Sequence, residues 1–242
     1  MSVIDIVVPV YNQSDKIVDC LKSLKKQTFQ DFKIFIIDDG STDGLKDKLE
    51  LWLRAENLNA KSYKNEISTK TKIIKIDHGG APRARNSGAQ LCSSEYILFC
   101  DADVILHKNF LKTSLNTLTT NKNTSYCYTS FKFGWKKFKL WEFNEQKLKE
   151  MPYIHTTSLI RKKDFPGFDE NIKRLQDWDL WLTMLEQGKR GIWIPKYLFT
   201  VHPGGTMSKW MPKIFVRYFK RNKKVHSYLD AVEIVKKKHQ LV

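Results

Sequence analysis

The stretch Glu95-Tyr96-Ile97-Leu98-Phe99-Cys100-Asp101-Ala102-Asp103 sets an uninterrupted apolar run directly against two carboxylates. A short continuous apolar run reads as a strand buried on both faces, the kind found in parallel sheets covered by helices. In extended backbone, residues i and i+2 project to the same side, so Asp101 and Asp103 can converge on one cation as sequence neighbours cannot. An Asp-x-Asp triplet alone is equally a solvated turn after a strand, and its meaning depends on the rest of the chain.

Upstream, the same arrangement repeats. Val3 to Val10 is a β-branched apolar run closed by Pro9 and Asn12, Phe32 to Ile37 is a second and Ile73 to Ile76 a third. Between them lie helix signals: Ser14 or Asp15 can cap a helix whose apolar positions are Ile17, Cys20, Leu21 and Leu24, a second runs through Leu45, Leu49, Leu51 and Leu53, and a third spans Pro82 to Leu91. The polar stretch Glu56 to Lys72 is expected to be a surface loop or a frayed extension. Strands alternating with helices predict an α/β fold with right-handed crossovers and a mostly parallel sheet. Ligands of such sheets bind beyond the carboxyl ends of the strands. The polar clusters fall there: Tyr11-Asn12, Asp38-Asp39-Gly40-Ser41, His78-Gly79-Gly80 and Asp101-Ala102-Asp103. Helix capping accounts for Ser41 or Thr42, but not for two consecutive acids at a strand end.

The 242 residues, 41% of them hydrophobic, suffice for one sizeable domain with or without an appendage. No apolar run approaches the ~20 residues that span a bilayer. Residues 1–9 lack a secretory pattern, so a cytoplasmic protein is expected. Cys20, Cys92, Cys100 and Cys127 have no C-x-x-C pairing and read as reduced, buried thiols. The net charge of +16 asks for an anionic partner, whether nucleic acid, an anionic membrane or a phosphorylated small molecule. A large share of the excess lies in 209–242, where ten Lys or Arg face Asp230 and Glu233 alone.

Taken in order, Val8-Pro9-Val10-Tyr11-Asn12, Ile37-Asp38-Asp39-Gly40-Ser41-Thr42-Asp43, Gly79-Gly80-Ala81-Pro82-Arg83-Ala84-Arg85-Asn86-Ser87-Gly88 and Asp101-Ala102-Asp103 resemble the nucleotide-sugar half of a family 2 glycosyltransferase of GT-A fold. The likeness extends over about residues 2 to 208 and thins between about 108 and 155. It implies a Rossmann-like, mostly parallel central sheet flanked by helices. A nucleotide-sugar half (1–107), an acceptor half (108–208) and a basic amphipathic helical tail (209–242) follow from it. It also implies an inverting enzyme that uses Mn²⁺ or Mg²⁺ and a nucleoside diphosphate sugar, a UDP-sugar by preference.

By the same resemblance, Pro9, Tyr11, Asn12, Asp38, Asp39, Gly79, Arg85, Asn86, Asp101 and Ala102 would form the donor site. Either Asp38 or Asp39 would face the base, and Asp101 would meet the ribose or the metal. Asp103 would bind the metal, with His202 of Val201-His202-Pro203-Gly204-Gly205-Thr206 completing the metal or diphosphate site. Carboxylates without a Cys-His cluster favour a hard cation over zinc. The element Gln176-Asp177-Trp178-Asp179-Leu180-Trp181, on a helix expected to end at Gly188, is similar to the family's Glu-Asp-Trp-Asp-Leu-Trp, which makes Asp177 the general base and puts Gln176 where Glu is usual. Asp179 fits first-turn helix stabilisation as well as any catalytic role. Gln176, Trp178 and His155 are expected on the acceptor side, whereas Trp181 is expected in the core.

In the tail, Trp210, Met211, Ile214, Phe215, Tyr218 and Phe219 recur at helical spacing beside Lys213, Arg217, Lys220, Arg221 and Lys224. That pattern fits peripheral contact with the cytoplasmic face of a membrane, and equally a helix docked on the domain. With the membrane contact the expected acceptor is a lipid-linked glycan, and without it a free sugar or a protein-linked glycan. A nucleic-acid binder is disfavoured because acidic strand-end loops would repel phosphate. A nucleotidyltransferase is disfavoured because a Gly-rich basic loop after strand one is replaced by Tyr11-Asn12-Gln13.

Overall fold

The computed structural model describes residues 2–56, 71–203 and 223–241. The first half follows the expected alternation: β1 (Ile4–Val10), α1 (Ile17–Lys25), β2 (Phe32–Asp38), α2 (Leu45–Glu56), β3 (Thr71–Lys75), α3 (Ala81–Leu91) and β4 (Tyr96–Phe99). Strands β3-β2-β1-β4 lie side by side and parallel. All seven residues of β1 are buried, as an apolar run covered on both faces requires. β4 pairs only with Ile4–Val7, so Pro9 falls beyond its end and no ladder bond to β4 is lost there. Helix α3 presses closely on this sheet. A Cβ on Gly88 would come within 2.4 Å of Val7 Cγ1 and 3.1 Å of Ile37 Cγ1, so only glycine allows the approach that seats Arg85 one turn earlier.

The second half departs from the parallel pattern. It comprises β5 (Val104–Leu106), α4 (Phe110–Thr120), β6 (Tyr126–Phe133), β7 (Lys136–Phe138), α5 (Glu145–Glu150), β8 (Leu159–Arg161), α6 (Gln176–Glu186) and β9 (Gly191–Val201). The sheet continues β4-β8-β6-β9-β5 with β7 on β6, and only β6 and β9 pair in parallel there. The expected parallel sheet therefore describes the first half, and the whole is a mixed sheet flanked by helices. The turn Asp101–Asp103 carries the chain from β4 directly into β5, at the carboxyl end of the parallel strands. Helix α6 ends as expected, with Gly188 at φ 74°.

Helix α7 (Lys223–Lys238) lies within the segment expected as a tail. The expected boundary at residue 208, the Gly204-Gly205-Thr206 loop and the aromatic-basic stretch 210–221 lie outside the described residues. α7 is tied to α6 through Asp179, which is 2% exposed. Its Oδ1 accepts from Lys238 Nζ at 2.7 Å and His239 Nε2 at 2.9 Å. Lys238 also reaches Asp169 at 2.9 Å, and His239 Nδ1 meets Glu186 at 2.7 Å. Burial opposes charging of His239, but the carboxylates of Asp179 and Glu186 outweigh it and raise the pKa above the usual histidine value.

Asp179→Ala, which removes the buried carboxylate that exposed Lys238 and buried His239 share but leaves them Asp169 and Glu186, is expected to cost about 1–3 kcal/mol in urea unfolding. Because the folded pKa of His239 is raised, its contribution is full below the unfolded value of about 6.5 and is lost as pH rises through the folded one. The difference in unfolding free energy between the parent and His239→Gln should therefore be larger at pH 5.5 than at pH 8.5.

Candidate active site

The ends of β1, β2 and β3 are stitched together by short side chains. Asn12, held at φ 48°, accepts from the Thr42 N–H at 2.9 Å, and its own N–H donates to Ser41 Oγ at 3.0 Å. Asp38 Oδ1 accepts from the Ser41 N–H at 2.8 Å. Asp39, 2% exposed, spends its two carboxylate oxygens on the N–H groups of Gly79 and Gly80, at 2.8 and 2.9 Å. His78 Nδ1 lies 2.9 Å from Asp39 Oδ2, and its ring stacks on Tyr11 with centroids 4.0 Å apart. These loops wall a cleft of about 560 Å³ that Pro9, Tyr11, Asp39, Gly79, Arg85, Asp101, Asp103 and Gln176 all line.

Across the cleft, Arg85 joins the two halves of the chain. Its Nη2 donates to Asp101 Oδ1 at 2.6 Å and its Nη1 to Gln176 Oε1 at 2.9 Å, with the guanidinium carbon 5.3 Å from the centre of the Phe168 ring. Asp103 lies deeper. Burial, and next the charge of Asp101, push its carboxyl up to about 7 while Lys16 pulls the other way. The N–H of His202 donates to the Asp103 carbonyl at 2.8 Å, so the expected third metal residue stands at the adjoining strand end. Among the described residues no three His, Cys, Asp or Glu side chains form a ready cage. Two carboxylates at the edge of an open cleft do fit a hard divalent cation, because such ions take one or two protein carboxylates and fill the remaining sites with phosphate oxygens and water.

The profile of the family described as Glycosyl transferase family 2 matches residues 5–172, which takes in the loops after β1, β2, β3 and β4 and stops short of Gln176 and His202. The chain belongs to glycosyltransferase family 2. Among its relatives are a Rickettsia conorii glycosyltransferase, 27% identical over 86% of this chain and 34% of that protein, and the amylovoran biosynthesis glycosyltransferase AmsB of Erwinia amylovora, 25% identical over 81% and 68%. The chain spans about a third of the length of several curated relatives it matches, GlyG of Streptococcus pneumoniae included. Similar solved structures include Staphylococcus aureus TarS 1–349 in complex with UDP-GlcNAc, with a TM-score of 0.68, 20% identity, and 90% of this chain and 64% of that one covered. Another is the mannosyltransferase PcManGT of Pyrobaculum calidifontis in complex with GDP-Man and Mn²⁺, with a TM-score of 0.67, 15% identity, and 89% and 60% covered. These likenesses establish the GT-A fold.

The segment 176–181, beyond the matched residues, lines the cleft with Gln176 and runs on into the core. Asp177, half-buried, accepts from the Trp178 N–H at 2.9 Å. Burial pushes its carboxyl up to about 6, against the Trp178 N–H and the charge of Arg85, with Asp101 adding to the rise. Trp178 has no exposed surface and donates its indole N–H to the Leu148 carbonyl at 2.6 Å. The acceptor-side placement expected for it gives way to core packing, alongside Trp181, whose indole donates to Ile154 O at 2.9 Å.

His155 is also interior, 6% exposed, with its ring 5.1 Å from that of Phe199 and 5.5 Å from that of Phe131. Burial pushes it down to about 4, and its Nδ1 accepts from the Thr157 N–H at 3.0 Å, so it is a neutral imidazole. Asn86 turns to the loop before α6, where it both donates to and accepts from the Phe168 backbone, at 2.9 and 2.8 Å. Ala102 is buried between the two acids, at 1% exposure.

Three residues of this family 2 chain that received no role from sequence sit at the site. His78 caps the cleft over Tyr11, and Lys173 lines it next to Gln176. Arg174 holds α7 in place, donating to Ser227 Oγ at 2.9 Å and lying 5.9 Å from the Tyr228 ring. Tyr228 in turn feels Asp177: burial, and next that carboxylate, raise its phenol pKa. His78 alone left a sequence signal, since it opens the polar loop after β3.

The raised carboxyl of Asp103 has a definite sign. The folded state binds its proton up to about pH 7 and the unfolded chain only to about 3.9, so stability falls as pH rises through that window. With divalent cations chelated, Asp103→Asn should stabilise the protein by a few kcal/mol at pH 8, about 4 at most, and by nearly nothing at pH 3.5. Urea unfolding at the two pH values checks this.

Proposed function

We propose that the chain is a metal-dependent inverting glycosyltransferase that moves a sugar from a nucleoside diphosphate sugar to a hydroxyl acceptor by single displacement. The carrying observation is the Arg85 bridge, because one guanidinium binds both the strand-four acid Asp101 and the Gln176 that opens the helix of Asp177. Donor end and base are thereby fixed relative to one another across a single cleft, as near-attack geometry demands.

In this reading the nucleoside lies along the β1–β3 rim. Tyr11, 44% exposed, offers the base a ring face beside His78, while Asn12, Asp38 and Asp39 hold the loops that shape this end. Asp101 and Asp103 would hold the divalent cation with His202 beside them, and a bound cation supplies charge neutralisation at the departing diphosphate. The acceptor hydroxyl approaches from the α6 side past Gln176 and Lys173. Asp177 takes its proton as the oxygen attacks the anomeric carbon, and the nucleoside diphosphate leaves from the opposite face. A carboxyl pushed up to about 6 is still ionised at pH 7 and is a stronger base than an ordinary aspartate. Gln176 in place of the family's usual Glu leaves Asp101 as the one carboxylate bonded to Arg85 among the described residues.

We favour a UDP-sugar, because the TarS structures aligning with 90% of this chain carry UDP or UDP-GlcNAc. The acceptor is a glycan or a lipid-linked glycan, and the reaction takes place in the cytoplasm or at the cytoplasmic face of a membrane. Among the described residues no helix is long and apolar enough to cross a bilayer.

A thermal-shift panel of UDP-, GDP- and dTDP-sugars with Mn²⁺ tests the donor assignment; Asp103→Ala should lose the metal-dependent stabilisation. Asp177→Asn should retain it and lose transfer by at least about a hundredfold, the lower range of general-base contributions. Transfer by Asp177→Asn at the parent rate would remove the base from the proposal. For the parent enzyme kcat/KM should climb with pH through about 6 and then level, since only the ionised carboxylate accepts the proton.

A further inference from the structure

The hairpin joining β6 to β7 reads Phe131-Lys132-Phe133-Gly134-Trp135-Lys136-Lys137-Phe138-Lys139, four lysines and four aromatic residues without an acid. At its tip Trp135 is 93% exposed, the most exposed of the large apolar side chains among the described residues. An indole held in water forgoes one of the largest hydrophobic gains a side chain can make. Along the stem, Lys132 and Lys137 are directly opposed Cα partners, and like charges so placed destabilise a hairpin. The hairpin thus carries two unfavourable features on one projecting element, and both would be relieved by a surface that is apolar beneath and anionic above.

The tip also packs on the end of β9. The Gly134 N–H donates to the Val201 carbonyl at 2.9 Å, and a Cβ on Gly134 would lie 3.3 Å from the Pro203 ring, which places the turn against the strand end that carries His202 beside Asp103. We propose that this tip, Trp135 with Lys132, Lys136, Lys137 and Lys139, docks the chain on an anionic phospholipid surface and sets the cleft at headgroup level. Trp is the residue best suited to the apolar-polar boundary of a bilayer, and lysines beside it are drawn to the anionic leaflet. A soluble polyanion fits less well. The element is convex, and its cations are all lysines, point charges without the forked geometry with which arginine grips phosphate.

The contact is independent of which sugar is transferred and is read without turnover. The full chain is floated with vesicles of equal parts phosphatidylglycerol and phosphatidylcholine, and with phosphatidylcholine alone. Nucleotide binding and thermal unfolding, followed in the same samples, report on the cleft and the fold separately. The parent should float with the anionic vesicles and not with the neutral ones. Trp135→Ser should weaken that binding roughly tenfold. Paired Lys136→Ser and Lys137→Ser should weaken it by roughly fivefold per lysine, and nucleotide binding should stay unchanged. Flotation of both variants at the parent level would put the lipid contact elsewhere in the chain and overturn the proposal. So would a parent that ignores vesicles yet binds soluble polyphosphate through Trp135.

Discussion

The Arg85 guanidinium, clasped between Asp101 and Gln176 above the Phe168 ring, is the interaction on which the candidate site depends. It is 6% exposed, and a buried cation persists only where charge and hydrogen bonds offset its lost hydration. One carboxylate supplies the charge and one amide a further acceptor. Those partners come from the β4 turn and from the start of α6, segments about 75 residues apart in sequence. The parallel half and the mixed half of the sheet are consequently locked in one relative position exactly where the cleft runs between them. Gly88, which lets α3 close on β1, is what brings the arginine within reach.

Around that cation the electrostatics are held out of balance. Asp103 and Asp177 are both pushed above the ordinary carboxylate range, chiefly by burial and further by the charge of Asp101. Asp39, at 2% exposure, spends both its oxygens on backbone N–H groups and thereby builds the loop after β3. Two carboxyls held above their ordinary range are the form that a preorganised site takes when it gives up stability for function.

Much of this could be read in the sequence because it is local. Apolar runs ending in Asp38-Asp39 and in Asp101-Ala102-Asp103 report strands and their carboxyl ends within ten residues, and the ordered motifs marked the family. The parts that escaped are those set by contacts distant in the chain. Trp178 lies at a spacing that suits either a sugar wall or a core, and the Leu148 carbonyl decides it. Asn86 sits within a recognised motif, yet the Phe168–Glu170 loop, eighty residues on, takes its amide. His155 falls in irregular chain before β8 and ends among aromatic rings from β6 and β9, a placement that periodicity cannot report. The mixed pairing in the second half was equally hidden, because strands of three residues such as β5 and β8 leave no periodic trace.

Asp177 and Asp179 bring these themes together. Residues two apart on a helix point about 200° away from one another. With Asp177 on the half-buried side of the helix, Asp179 faces inward, where Lys238 and His239 meet it. First-turn helix stabilisation explains why an acid is tolerated there, but the anchored end of α7 explains why it is buried. The same docking sets Ser227 against Arg174 and brings Tyr228 close enough to sense the charge of Asp177. One Asp-Trp-Asp triplet thus does three things: it holds a half-buried carboxylate next to the cleft-lining Gln176, packs an indole in the core, and anchors the C-terminal helix. The C-terminal helix is in this way docked beside the start of α6, with Tyr228 within range of the Asp177 charge.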